Sequence, residues 1–255
     1  MLKVRVIPTL LMRDVNLVKG PAFDSWRAVG SPMQSVKVFN RRDVDELIIL
    51  DIAATPGSRG PDVDMVANLA RECFVPLTVG GGITHLDQVR SLLLAGADKV
   101  AINTAAYSDP KLIIQSSEQF GVQCVVAAID YRTAGTALSE CFSHCGTRPT
   151  GHSPVEWAKH LEQLGAGEIL LTSIERDGMM TGYDLETIEA VSKAVSIPVI
   201  ASGGASNYTD MEHAIRVGAS AVSAASIYLF TQMTPLEAKA HFASVGIPVR
   251  RHLQD

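Results

Sequence analysis

Short runs of β-branched and aliphatic residues alternate along the chain with stretches in which apolar positions recur every three or four residues. The first pattern predicts strands near 4–11, 46–52, 76–80, 98–102, 123–130, 167–173, 198–202 and 220–224. The second predicts helices near 31–44, 61–73, 85–95, 109–118, 153–164, 184–195, 207–217 and 235–244. Strands that alternate with helices pair in parallel through crossover connections. Eight such units can close on themselves, so the expected fold is α/β, a single (β/α)8 TIM barrel. An open doubly wound sheet is the alternative that the same alternation allows.

An internal repeat sharpens this expectation. Pro76–Ile83 (PLTVGGGI) resembles Pro198–Ala205 (PVIASGGA), and Gly96–Ala105 (GADKVAINTA) resembles Gly218–Ile227 (GASAVSAASI), both at an offset of 122. Glu46–Ile52 (ELIILDI) resembles Glu168–Ile174 (EILLTSI) at the same offset. Strands two to four thus repeat as strands six to eight. The halves are about 1–122 and 123–255, with no Pro/Gly/Ser-rich linker between them, so 1–255 is read as one domain.

Composition narrows the function classes. Apolar residues are 47% and aromatics only 5%, so the core must rest on Val, Ile, Leu and Ala, which suits buried parallel strands. A net charge of −5 argues against broad nucleic-acid binding but leaves room for a local basic phosphate site. The start, Met1–Val6, lacks the apolar run of a signal peptide, and no stretch is long enough to span a bilayer. Cys73, Cys124, Cys141 and Cys145 form no CxxC pair. Cys141 and Cys145 with His144 could hold a metal, but an irregular loop with free thiols is the favoured reading; no cofactor is expected. The setting inferred is soluble, reducing and cytoplasmic.

The repeat also marks chemistry. Gly80-Gly81-Gly82 follows strand three, and Gly203-Gly204 follows strand seven. Glycines at such turns let backbone amides approach an anion. Asn103-Thr104 and Ala225-Ser226 follow strands four and eight, where N–H groups and hydroxyls would face a phosphate. Two such sites across one mouth suit an elongated ligand with a phosphate at each end; repeated turn geometry without a ligand is the alternative. Asp130 ends strand five, the position at which barrel enzymes keep catalytic groups, and burial would suit it to acid/base work. It could instead cap the following loop. Asp51 and Asp177, at similar strand ends, could hold ligand hydroxyls or serve as turn acids.

Val4–Arg13 aligns with Gln123–Arg132 at an offset of 119, which makes Leu11 the partner of Asp130. An acid pair across the mouth therefore lacks one member, because leucine cannot move a proton. Asp14 lies three residues on and reads as a loop residue, a weak substitute. Arg5, Glu46, Lys99 and Glu168 fall at or near the starts of strands one, two, four and six. Pointing inward, they would form a ring of alternating charge at the barrel floor, either a gate or a paired network that stabilises that face.

These residues resemble a known family over essentially the whole chain: the cyclase subunit of imidazole glycerol phosphate synthase. The resemblance rests on Val18–Gly20, Asp45–Leu47, Leu50–Ile52, Val79–Ile83, Gly96–Val100, Ile102–Ala106, Gly165–Ile174, Arg176–Gly178, Gly182–Asp184 and Ile200–Ala205. It implies a glutaminase partner docked on the amino-terminal face, with ammonia passing through the barrel and Arg5, Glu46, Lys99 and Glu168 as its gate. It implies a ribonucleotide substrate with two phosphates, held by Lys19, Asp51, Gly82, Asn103, Thr104, Thr172, Asp177, Gly178, Ser202, Gly203, Gly204, Ala225 and Ser226. The family's two catalytic aspartates match positions 11 and 130, so the resemblance implies Asp130 as the remaining catalytic group and weakened or lost cyclase activity. Arg5–Leu11 and Glu72–Leu77 look more like relatives associated with surface-glycan gene sets, which implies ammonia relayed to a third enzyme that amidates a nucleotide sugar. A working cyclase in histidine biosynthesis and a noncatalytic phosphate-binding scaffold remain the rival expectations.

Overall fold

The computed structural model describes residues 3–133 and 139–250. Its frame is a set of eight parallel strands: β1 (Arg5–Arg13), β2 (Leu47–Asp51), β3 (Leu77–Gly80), β4 (Lys99–Ile102), β5 (Val125–Thr133), β6 (Glu168–Ser173), β7 (Val199–Ser202) and β8 (Ala221–Ala224). Each pairs with its sequence neighbour, and β8 pairs β1 with Arg5 opposite Ala221, so the sheet closes into a barrel. The open doubly wound alternative is thereby excluded.

Among the described residues eight helices of eight or more residues cover the outside: α1 (Pro32–Arg41), α2 (Val63–Ala70), α3 (Leu86–Leu94), α4 (Lys111–Phe120), α5 (Pro154–Gln163), α6 (Leu185–Ala194), α7 (Tyr208–Arg216) and α8 (Pro235–Ser244). Their starts follow from local chemistry. The side chains of Asp62, Ser153, Asp184, Asn207 and Thr234 each accept from a first-turn amide, which satisfies a donor that the helix leaves free. The main apolar core lies between these helices and the outward faces of the strands, with Val6, Leu47, Val125, Ile169 and Phe242 among its fully buried members. A second, smaller core fills the barrel itself: Ile7, Ile48, Ala101, Val126, Leu170, Ile200 and Ala221. Among the described residues no helix is long and apolar enough to cross a membrane.

The strand expectations need correction at two places. β1 and β5 do not stop at positions 11 and 130 but run on to Arg13 and Thr133. Each continues into a hairpin at the mouth. Asn16–Lys19 folds back so that Leu11 lies opposite Val18, and Ser139–Ser143 folds back so that Asp130 lies opposite Phe142. The hairpins extend the half-barrel relation beyond the barrel wall. Cys141, expected in an irregular loop, is therefore a buried strand residue. The helix expected over 31–44 ends at Arg41, since Asp43 turns the chain with a φ of 51°.

Candidate ligand site and axial charge ring

Side chains alternate along a strand, so one parity of each barrel strand faces the axis. On β1 the inward series runs Arg5, Ile7, Thr9, Leu11, from floor to mouth. Across the barrel the floor is charged and the middle apolar, and polar residues return among apolar ones at the mouth.

At the floor, Arg5, Glu46, Lys99 and Glu168 meet in one closed ring. Arg5 donates to Glu46 at 2.8 Å and to Glu168, and Lys99 donates to Glu46 at 2.9 Å and to Glu168 at 3.0 Å. Both glutamates are buried. Burial works against the charge on Arg5, but hydrogen bonds and attraction from Glu168 and Glu46 outweigh it and raise its pKa. Each cation touches both anions, so no ring charge is left unpaired. The two acids are related by the repeat offset; their cations are not.

At the mouth, a cavity of about 800 Å³ opens among the loops that follow the strands. All thirteen residues that the resemblance assigns to substrate or phosphate line it, together with Asp130 and Leu11. Gly82 and Gly203–Gly204 adopt positive φ of 71°, 88° and 110°, and each turn packs so tightly that a Cβ would lie 2.6 Å or less from a carbonyl oxygen. These turns are thus closed to any side chain. Asn103 and Ala225 precede short helices, Thr104–Ser108 and Ser226–Phe230. Among the described residues the buried hydroxyl of Ser226 has no partner. That of Thr104 accepts from the His144 amide at 2.9 Å. Thr172 and Ser202 stand side by side in the paired strands β6 and β7.

Asp130 projects into this cavity and accepts from the side-chain Nδ2 of Asn103 at 2.9 Å. Burial, and after it the charge of Asp177, push its carboxyl up to about 7. A carboxyl in that range exchanges protons at neutral pH. No second acid faces it from β1, whose lining residues are Thr9 and Leu11. Asp14 does not replace it. It sits at the tip of the first hairpin with a φ of 55°, exposed and outside this cavity.

Two assigned acids already have partners. Asp51 accepts from the amides of Ala53 and Ala54 and pairs with Arg59 at 2.7 Å, so it organises its own turn. Asp177 pairs at 2.5 Å with Lys19, which is buried. The Ala22 amide also donates to the Asp177 carbonyl at 2.7 Å. The first loop is thus latched to the sixth across the mouth. Cys145 lines the cavity as well, its thiol donating to the Ile52 carbonyl. Burial pushes Cys141 and Cys145 up to about 12, so both are protonated thiols at neutral pH. Among the described residues no group of three or more His, Cys, Asp or Glu is placed to hold a metal ion.

His144, marked in the sequence only as a possible metal ligand, lines the cavity, as do Phe23, Trp26, Arg59 and Arg148, which carried no signal in the sequence. They lie on loops outside the repeated segments, where neither periodicity nor offset marks them.

A family model described as "Histidine biosynthesis protein" matches residues 5–234, nearly the whole chain. The matched span holds every residue of the ring and of the cavity wall named above.

Proposed function

The chain belongs to the histidine biosynthesis protein family, and from that premise we propose that it accepts ammonia from a glutaminase at its amino-terminal face and conducts it along the barrel axis. The observation that carries this reading is the axial order of side chains. A closed ring of four charges plugs the floor, an apolar sleeve follows, and the ligand cavity, with its glycine turns and strand-end polar residues, opens at the far end. An apolar sleeve passes neutral ammonia and disfavours ammonium, whose charge would have to be desolvated. Because each cation of the ring has two anionic partners, one bond can open while the other holds, which suits a gate better than a fixed brace.

In this reading the cavity keeps its phosphate turns but has lost half of its acid/base chemistry. Asp130 faces Leu11, so ammonia addition and ring closure are weakened, and the conducted ammonia serves a further acceptor, an amidating enzyme acting on a nucleotide sugar. The assay is direct: the bisphosphate substrate of the synthase family and an ammonium salt are supplied, and imidazole glycerol phosphate is measured. Turnover near that of a two-aspartate cyclase would exclude the relay, and failure to bind or stimulate a glutaminase would exclude conduction.

One observation favours a second reading, a working cyclase. The carboxyl of Asp130, at about 7, can both give and take a proton at neutral pH. A single group in that range could serve both steps, more slowly.

A further inference from the structure

A second concavity, of about 940 Å³, adjoins the ligand cavity at the mouth and lies over the loops that follow β1, β2 and β5. It is on the side away from the glycine turns after β7, and nine of its fifteen lining residues also line the ligand cavity. Its wall differs in character from the main cavity. Arg13, Arg59 and Arg148 all line it, against one carboxylate, Asp14. Arg59 is held by Asp51. Among the described residues neither Arg13 nor Arg148 has a carboxylate partner, and both are exposed at the rim. Guanidinium groups present forked donors that match phosphate and carboxylate oxygens. Two aromatic rings stand among the small and polar loop residues of the remaining wall: Phe23 and Trp26, with ring centroids 6.2 Å apart and planes tilted by 40°, form a shallow wedge.

We propose that this annex binds a second ligand, distinct from the occupant of the main cavity, of the class that joins one anionic group to a planar ring. The anionic group engages Arg13 and Arg148, and the ring lies against Trp26 and Phe23. Two features select this class. Two arginines without partners leave a positive site that a neutral ligand would not satisfy. A flat apolar wedge beside them favours a ring over an open-chain sugar phosphate. The annex shares Trp26, Phe23, Arg59 and Arg148 with the main cavity, so its ligand meets whatever the cavity holds. The inference does not depend on the conduction of ammonia.

Adenosine monophosphate serves as the probe, with ribose 5-phosphate and adenosine as its two halves. Trp157 is buried in the helical shell, so a change in tryptophan fluorescence reports Trp26. Saturable quenching by adenosine monophosphate is expected, with each half binding more weakly. Arg13→Ala combined with Arg148→Ala should weaken binding at least tenfold, as expected for two lost charge-assisted contacts. Ser226→Asp places a carboxylate in a phosphate turn of the main cavity and should leave this affinity within about twofold. The proposal is overturned by any of three results: no binding at millimolar probe, an unchanged affinity in the arginine variant, or loss of binding in Ser226→Asp. Ribose 5-phosphate binding as tightly as the nucleotide would overturn the aromatic half.

Discussion

Replacing Leu11 by aspartate restores a carboxyl to the one inward position at the mouth where the half-barrel relation expects it. Leu11 is 8% exposed, lines the cavity and lies outside both apolar cores. Losing its burial costs about 2 kcal/mol, which for a chain of this size lowers the melting temperature by about 4–8 °C. The new carboxyl enters a cavity that already holds Asp130 and Asp177, so one of the acids must titrate higher still. A second positioned acid/base group is worth roughly 10²–10⁴ in rate. The assay is formation of imidazole glycerol phosphate from the family substrate and ammonium salt, at several pH values. Leu11→Asp should gain within that range and acquire a second limb in its pH profile, while Leu11→Asn, similar in shape but unable to ionise, should gain nothing. A folded Leu11→Asp chain that binds substrate without any gain, or an equal gain in Leu11→Asn, would refute the assignment of Leu11 as the missing acid.

Three further outcomes follow from the same geometry. The carboxyl of Asp130 sits near 7 rather than 3.8, so the folded chain keeps a proton that the unfolded chain releases, and its stability falls as pH rises from about 4 to 7. Asp130→Asn removes that loss; urea denaturation should show its advantage over the wild type growing across this window to at most about 4 kcal/mol and staying level above it. Glu168→Gln takes one anion from between Arg5 and Lys99. It should cost about 3 kcal/mol in the same measurement, and a variant as stable as the wild type would show that the ring is solvated. Gly178→Ala puts a Cβ 2.4 Å from the Gly20 carbonyl oxygen at a φ of 78°, so it should unlatch the first loop and make residues 20–26 sensitive to protease; unchanged protection would show that the latch does not hold the loop.

The barrel was legible because its walls repeat. β3, β4, β7 and β8 fall within a residue or two of the expected bounds, since each strand is a short apolar run closed by a glycine or small polar turn. The ring was legible too, because charges such as Glu46 and Glu168 interrupt apolar strand starts at one offset. The mouth was less so. β1 and β5 overran their expected ends because Met12 and Tyr131 keep the inside–outside alternation going beyond positions 11 and 130. The strand Ser139–Ser143 has only two apolar residues, too few to mark a period. Asp51 could be read from sequence as a ligand contact or a turn acid; in the structure its oxygens are taken by two turn amides and Arg59, a partner eight residues away in a loop. Arg13, Trp26 and Arg148 gather only because the first and fifth loops fold toward each other, and that approach is written in no local pattern.

The claim at the centre is that ammonia travels through the barrel rather than through solvent. It is tested by loading the chain with a glutaminase subunit of the synthase type, glutamine labelled with ¹⁵N in its amide, an excess of unlabelled ammonium salt and the family substrate. Protein is used at stoichiometric concentration, so that weak turnover still yields product. Conduction predicts imidazole glycerol phosphate whose new nitrogen is mainly ¹⁵N despite the excess. A product that carries the isotope of the bulk ammonium would contradict it.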